Sequence, residues 1–221
     1  MAEAEQERTI VFVDLAGFTA LTETHGDDKA ADLAERFVGL TESVLGPDDR
    51  LIKSIGDAVM IASRTPAEGL MSLRRLMIAC RETPEFPIPR AGLHHGPVVE
   101  RGSDVFGATV NMAARIAGQA SGGQVLGTTL IASAAAVMEV HAASVGEVQL
   151  RNLSSPVEVF EIHLTDVDAD TFTIDPVCRM RVEPAGAAGW LRHEGTGWWF
   201  CSLTCAATFA QAPDTYARMN D

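Results

Sequence analysis

The order of strand-like and helix-like segments between Thr9 and His163 leaves few folds open to this chain. A short apolar, β-branched run from Thr9 to Val13 predicts a buried strand. A helical pattern follows, then two strand-like segments that predict a hairpin around Gly56, and then a second helix that begins at Pro66. This succession predicts an α/β fold, an α+β sandwich of the ferredoxin-like kind with its helices on one face of a single sheet.

Composition divides the chain into four parts. We expect an acidic N-terminal tail (1–8), a large domain (9–163), a linker (164–171) and a small cysteine-containing C-terminal module (172–219). The linker is rich in aspartate, whereas the last part holds three of the four cysteines and all three tryptophans. A module of about 48 residues is too small to be stabilised by a hydrophobic core alone, so a metal or another crosslink would help it to fold.

The charge composition excludes several classes of partner. Lysine and arginine number 17 against 30 aspartates and glutamates, which gives a formal net charge of −13. Because such a surface repels polyanions, we expect no nucleic-acid partner and no membrane partner. The first residues lack the apolar segment of a secretion signal, and the longest uncharged run, Ile116 to Met138, is interrupted by polar residues. These patterns predict a soluble, cytoplasmic protein.

Two aspartates stand at the ends of predicted strands. Asp14 follows the first strand, and Asp57 lies in the turn of the hairpin. Carboxylates at neighbouring strand ends are the hard oxygen ligands that Mg²⁺ or Mn²⁺ prefers, and such a site keeps positions open for substrate phosphates. Taken singly, each aspartate could instead serve only its local turn.

A second constellation lies in the predicted helix from Thr109 to Ala120. Asn111 and Arg115 are four residues apart and therefore share one face of that helix. An amide and a planar guanidinium can together bind a sugar ring and a phosphate. An isolated arginine in this position could equally be a surface residue that pairs with a glutamate.

Four segments taken together resemble the motifs of class III adenylate/guanylate cyclase catalytic domains. They are, in order, Phe12–Thr19, Lys53–Asp57, Arg90–Gly96 and Asp104–Arg115. The resemblance covers about residues 9–163 and implies a ferredoxin-like cyclase core. It also implies a homodimer with two active sites at the subunit interface.

The same resemblance implies roles for four of these residues. Asp14 and Asp57 match the two metal-binding aspartates, and Asn111 and Arg115 match the catalytic pair that acts on the transition state. The implied reaction is in-line attack of the ribose 3′-hydroxyl on the α-phosphate with release of pyrophosphate. Two Mg²⁺ or Mn²⁺ ions assist it, one by lowering the pKa of the hydroxyl and one by binding the triphosphate.

Lys53 and Asp104 match the two positions that bind the purine. Because lysine only donates and aspartate only accepts, the pair complements N1 and the amino group of adenine and opposes guanine. Further along, Leu150-Arg151-Asn152 resembles a segment in which the family carries a lysine that reaches the triphosphate. Arg151 keeps the charge, although on local sequence alone it could be an exposed loop residue. The sequence thus predicts ATP rather than GTP as the substrate.

The C-terminal part carries Cys178, Cys201 and Cys205 with the spacing Cys-x22-Cys-x3-Cys. Thiolates at such a spacing suit a second metal site for Zn²⁺ or Cu⁺. A tetrahedral ion would lack one ligand, which His193 or Asp175 could supply. Cysteine is also among the most buried residue types, so the three thiols could equally be core residues.

This part of the chain, about residues 172–219, resembles the YHS domain, a short module related to the TRASH metal-binding family. The sequence departs from the usual pattern at Arg179, where the family commonly has glycine, and at Trp198-Trp199, where it commonly has tyrosines.

Two functions remain open at this stage. The first is an adenylate cyclase that converts ATP to cyclic AMP and carries a C-terminal metal-sensing or interaction module with an unknown partner. The alternative is a weak or inactive cyclase-like domain that binds nucleotide, dimerises and serves a metal-responsive module. The complete set of six motif residues favours the enzyme, because a degenerate domain would be expected to have lost some of them.

Overall fold

The computed structural model of the protein describes residues 6–151, 153, 155–165 and 172–218. Asn152 and residues 166–171 of the expected linker lie outside the described residues. Up to residue 165 the elements are β1 (Gln6–Leu15), α1 (Phe18–His25), α2 (Asp27–Val44), β2 (Arg50–Ile55), β3 (Ala58–Ser63), α3 (Pro66–Glu82), β4 (Pro89–Arg101), β5 (Asp104–Phe106), α4 (Ala108–Ala117), β6 (Val125–Thr128), α5 (Thr129–Val137), β7 (Ala142–Val148) and β8 (Val157–Ile162).

Residues 172–218 are called the C-terminal segment below. Its elements are β9 (Thr173–Ile174), β10 (Arg181–Val182), a 3₁₀ turn (Pro184–Gly186), β11 (Gly189–His193), β12 (Thr196–Phe200), α6 (Leu203–Gln211) and α7 (Pro213–Arg218). Within the described residues, no helix combines the length and the apolar character that crossing a bilayer requires.

One mixed sheet forms the body of the protein. Its strand order is β2-β3-β1-β4-β6-β8-β7, and β5 pairs with the end of β4. Neighbouring strands are antiparallel except β4 and β6, which run parallel. The α+β sandwich predicted from the sequence is therefore confirmed, as is the β2–β3 hairpin.

Local sequence signals place the helix boundaries. The predicted start at Pro66 is confirmed, because Thr65 and Glu68 form reciprocal hydrogen bonds that cap the first turn of α3. The single helix predicted after the first strand is instead two helices, α1 and α2. They are separated at Gly26, whose φ of 86° is readily adopted only by glycine.

Helices cover both faces of the sheet. On one face, Val11 and Val13 of β1 belong to the main hydrophobic cluster, to which α2, α3 and α5 contribute. On the other face, Ile10 of β1 packs in a cluster with Ala113 of α4. The expectation that all helices lie on one face is therefore wrong for α4.

Gly92 explains how α4 reaches this second face. A Cβ atom at Gly92 would lie 2.6 Å from the Cα of Ala117 and 2.7 Å from the carbonyl oxygen of Ala113, both in α4. The helix thus rests directly on the backbone of β4, an approach that a larger residue would block. The sequence pattern of α4 alone does not predict which face of the sheet the helix covers, because its buried side could pack against either one.

The C-terminal segment packs against the body. Its buried residues Cys178, Met180 and Phe209 belong to the same hydrophobic cluster as Leu21 of α1. Backbone pairing of Pro87 with Met180 adds to this contact. The small module predicted from composition therefore shares its core with the larger part of the chain.

The contact at Gly92 generates a stability prediction. Gly92→Ala should lower the free energy of unfolding by about 2–3 kcal/mol, because the methyl group forces α4 away from β4. Gly39→Ala is the matched control, since Gly39 is exposed in α2 with no atom within 4 Å of a new Cβ. It should raise stability by about 0.5–1 kcal/mol. Urea unfolding measures both, and a Gly92→Ala protein as stable as the wild type would contradict the packing argument.

Candidate active site

β1 and the β2–β3 hairpin place two carboxylates side by side. Asp14 is paired with Ala58 in the β1–β3 register, so Asp57 lies beside the end of β1, where Leu15 donates its backbone N–H to the Asp57 carbonyl at 3.3 Å. Burial, together with a hydrogen bond to the Asp14 side chain, raises the pKa of Asp57 to about 6. We call Asp14 and Asp57 the carboxylate pair.

The electrostatics of the carboxylate pair fit a divalent cation. Two carboxylates at hydrogen-bonding distance repel each other when both are ionised, which is one cause of the raised pKa of Asp57. A cation such as Mg²⁺ or Mn²⁺ removes this repulsion and takes oxygen ligands of this kind. The residues predicted to hold a metal are therefore together in the fold, and their chemistry suits the metal.

Arg90 also belongs to this site. It stands opposite Asp14 in the β1–β4 register and donates to Oδ2 of Asp14 from Nε at 2.8 Å and from Nη2 at 2.6 Å. Its Nη1 donates to the carbonyl of Ala120 at 3.2 Å, just beyond α4. No role for Arg90 was predicted from the sequence, although this residue begins the third motif. Only the strand register, which is a tertiary feature, places it against Asp14.

Lys53 and Asp104 form a second pair. Lys53 donates from Nζ to Oδ2 of Asp104 at 2.7 Å, and its Nζ lies 5.6 Å from the centre of the Phe106 ring. The hydrogen bond from Lys53 lowers the pKa of Asp104. Both side chains are about one-third exposed, so the ion pair contributes little to stability and can be opened by a ligand.

Asn111 and Arg115 lie on the side of α4 that faces away from the sheet. Ala113 between them is fully buried, whereas Asn111 is exposed and Arg115 is half-buried. Within the described residues, neither side chain forms a hydrogen bond or ion pair with the carboxylate pair or with the Lys53–Asp104 pair. The hydrogen bonds and ion pairs described within one chain therefore do not link Asn111 and Arg115 to the other predicted site residues.

Arg151 lies in the turn that follows β7 and is exposed. No ion pair involving Arg151 is found in the described parts of the chain. A cavity of about 460 Å³ between the body and the C-terminal segment is lined by Cys80, Ile88 and Phe172 among others, and by none of the predicted site residues. It is therefore separate from the candidate active site.

The three C-terminal thiols lie together. The Sγ of Cys201 is 3.4 Å from that of Cys178 and 3.7 Å from that of Cys205. The contacts among the thiols raise the pKa of Cys178 and lower that of Cys205. His25, the last residue of α1, is the fourth member of this group. No sequence signal linked it to the cysteines, because it lies in the large domain.

Neither residue considered as the fourth ligand belongs to the group formed by the three thiols and His25. His193 contacts Asp214 instead, with 2.9 Å between Nε2 and Oδ1. The carboxylate of Asp175 is fully buried and accepts hydrogen bonds from the backbone N–H groups of Cys178 at 3.3 Å and Cys201 at 2.8 Å. Burial raises the pKa of Asp175. Its role is to hold the two cysteine-bearing loops together.

Sequence comparisons place residues 1–164 in a known family, described as the adenylate and guanylate cyclase catalytic domain. The chain is 40% identical over 118 residues to the pH-sensitive adenylate cyclase MT1302 of Mycobacterium tuberculosis, covering 53% of this chain and 30% of that protein. It is 33% identical over 175 residues to the uncharacterized protein Rv2212 of the same species, covering 76% and 44%. The chain thus spans less than half the length of these curated relatives.

Solved structures share the fold at lower identity. An adenylate cyclase from Trypanosoma brucei in its monomeric state superposes with a TM-score of 0.66 at 21% identity, covering 76% of this chain and 94% of that one. The guanylyl cyclase Cya2 gives 0.63 at 20% identity, covering 77% and 98%. Because adenylate and guanylyl cyclases share this fold, the fold alone does not show which purine nucleotide is the substrate. The family match over residues 1–164 shows that this chain belongs to the adenylate and guanylate cyclase catalytic domain family.

Proposed function

We propose that this chain is an adenylate cyclase that converts ATP to 3′,5′-cyclic AMP and pyrophosphate in a homodimer. The observation that carries the proposal is the carboxylate pair, two aspartates brought into contact by the β1–β3 pairing in a chain of the cyclase family. Several relatives whose names state an activity are adenylate cyclases, among them those of Glutamicibacter nicotianae and Streptomyces griseus.

Asp14 and Asp57 are the residues that would hold the metal. Two Mg²⁺ or Mn²⁺ ions, when bound, supply charge neutralisation on the triphosphate and a lower pKa for the ribose 3′-hydroxyl. The chain contributes the placement of the two carboxylates at the end of β1 and the tip of the β2–β3 hairpin. Arg90 fixes the orientation of the Asp14 carboxylate through two hydrogen bonds and acts as a positioning residue.

The proposed reaction is an in-line displacement at the α-phosphorus. The ribose 3′-oxygen forms a new bond to the α-phosphorus, the bond to the bridging oxygen breaks, and pyrophosphate leaves with that oxygen. The hydroxyl proton passes to solvent. Asn111 would orient the ribose, Arg115 would stabilise the charge that develops on the phosphate, and Arg151 would contact the leaving triphosphate oxygens.

The Lys53–Asp104 pair would bind the base. Adenine can take the place of each partner in the ion pair. Its N1 atom would accept a hydrogen bond from Lys53, and its amino group would donate one to Asp104. Guanine presents the opposite pattern and would leave both polar groups without partners once the base covers them. The low cost of opening a partly exposed ion pair makes this exchange possible.

The position of Asn111 and Arg115 on the outer side of α4 supports a site completed by a second copy. Both stand on the outer side of α4, opposite its buried residue Ala113. Two large apolar side chains are also exposed on strands that carry predicted site residues. Ile55, at the end of β2, is 63% exposed, and Phe106, in β5, is 48% exposed. A two-fold dimer would place equivalent groups of both copies in two sites.

The test of activity uses Asp57→Ala. With ATP and Mn²⁺ or Mg²⁺, the wild type should form cyclic AMP and pyrophosphate, and Asp57→Ala should lower kcat at least about 100-fold because one metal ligand is lost. Asp48→Ala removes an exposed acid next to the same hairpin and should leave the rate unchanged. Binding of ATP by the wild type without product would instead support an inactive, nucleotide-binding domain.

The choice between adenine and guanine is tested by replacing both Lys53 and Asp104. Lys53→Glu combined with Asp104→Cys should lower kcat/KM for ATP at least about 100-fold, because neither adenine contact can form. Arg50→Glu is the control, since it repeats the charge change of the Lys53→Glu substitution on β2, at a residue paired with Glu100 instead. Unchanged ATP turnover in the double variant would show that these residues do not bind the base.

Mixed dimers test the shared site. Asp14→Ala and Arg115→Ala should each be inactive alone, because every site lacks one essential group. When the two proteins exchange subunits at random, roughly half of the dimers are mixed, and each mixed dimer has one intact site. Activity should therefore recover to roughly a quarter of the wild-type value. Mixed dimers that form but remain inactive would overturn the shared-site arrangement.

A further inference from the structure

Four ligand atoms from two distant parts of the chain converge on one point. They belong to His25, Cys178, Cys201 and Cys205, and all lie within 4.8 Å of one another. The Nε2 atom of His25 is 3.5 Å from Sγ of Cys201 and 3.8 Å from Sγ of Cys205. The Nε2 atom of the imidazole is thus the fourth ligand atom beside the three sulfurs.

These separations match the edges of a tetrahedral metal site. With Zn–S bonds of about 2.3 Å and a Zn–N bond of about 2.0–2.1 Å, tetrahedral geometry requires about 3.8 Å between sulfurs and about 3.6 Å between sulfur and nitrogen. Two sulfur–sulfur distances are 3.4 Å and 3.7 Å, and two sulfur–nitrogen distances are 3.5 Å and 3.8 Å. The two remaining separations, from Cys178 to Cys205 and to His25, lie within 4.8 Å. Four of the six separations are therefore close to those of a single tetrahedral ion.

The backbone around the cysteines is arranged to present their sulfurs. Asp175 accepts hydrogen bonds from the N–H groups of both Cys178 and Cys201, so one buried carboxylate fixes two loops that are far apart in sequence. Ser202 caps α6 by accepting from the N–H of Cys205 at 3.1 Å. Supporting hydrogen bonds of this kind orient the ligands of metal sites.

We propose that His25, Cys178, Cys201 and Cys205 form a closed Cys₃His site for Zn²⁺ that joins α1 to the C-terminal segment. All four ligands come from the protein, and Cys178 and Cys205 are fully buried, so no coordination position is left for substrate. A site of that form is structural. Three thiolates and one imidazole suit Zn²⁺ better than the hard cations of the carboxylate pair.

The site connects the C-terminal segment to the loop after Asp14. Arg179, next to Cys178, has a φ of 64°, and it packs on Gly17, whose φ is 77°. A Cβ atom on Gly17 would collide with the Cβ and Cγ atoms of Arg179. Because Gly17 begins α1 and His25 ends it, the metal and this contact hold the same helix at both of its ends.

The experiment measures metal in the reduced full-length chain. After removal of metal and reconstitution with Zn²⁺, elemental analysis should give one zinc per chain. Replacement by Co²⁺ should give the thiolate-to-cobalt charge transfer and the intense visible bands of tetrahedral coordination. Removing the metal should raise amide hydrogen exchange in residues 18–25 and in the C-terminal segment, and leave the centre of β1 unchanged.

Histidine variants identify the fourth ligand. His25→Ala should weaken Zn²⁺ binding more than about tenfold in competition with a chromophoric chelator, because three thiolates leave the ion one ligand short. His193→Ala is the matched control and should bind as the wild type does. His25→Cys should retain zinc and shift the cobalt spectrum towards four-sulfur coordination. This variant keeps the test decisive if His25→Ala fails to fold.

Several outcomes would overturn the site. They are a reduced, folded wild type that binds no Zn²⁺, equal affinity in wild type and His25→Ala, binding of Cu⁺ only, and a Cys178–Cys201 disulfide that resists treatment with a thiol reductant. None of these measurements depends on turnover. Failure of the zinc site and failure of the proposed cyclase reaction can therefore be told apart.

Discussion

The antiparallel pairing of β1 with β3 on one side and with β4 on the other is the constraint on which the candidate site depends. The first pairing brings Asp57 beside Asp14, and the second places Arg90 opposite Asp14. Val11 and Val13 of β1 pack on one face of the sheet and Ile10 on the other, so a slip of one residue would exchange these contacts and turn Asp14 to the other face. The position of the carboxylates thus follows from the packing of the apolar core.

The two faces of the sheet serve different purposes. The face covered by α2, α3 and α5 holds the main core, whereas the other face is covered by α4. Close contact at Gly92 holds α4 against β4 and leaves its outer side, with Asn111 and Arg115, open to a partner. A helix that is buried on one side and bears polar, at least partly accessible residues on the other suits a site shared between two chains.

The C-terminal segment is bound to the body by apolar packing and by polar contacts near α1. Phe209 and Cys178 join the main hydrophobic cluster, and the thiols meet His25 at the end of α1. A segment of this size has little core of its own, so its stability depends on the surface that it covers and on the proposed zinc. Gly17, in the loop after β1, takes part in this contact because it packs against Arg179.

The sequence by itself determined the sandwich of strands and helices, the hairpin and the start of α3, because apolar periodicity and capping residues are local signals. Strand ends in the sequence indicated the carboxylate pair, and the resemblance to the cyclase family indicated the Lys53–Asp104 pair; the fold brings the members of each pair into contact. Only the tertiary structure placed Arg90 against Asp14, α4 on the second face and His25 among the cysteines. Those positions depend on strand register and on packing between distant segments, which no local pattern encodes.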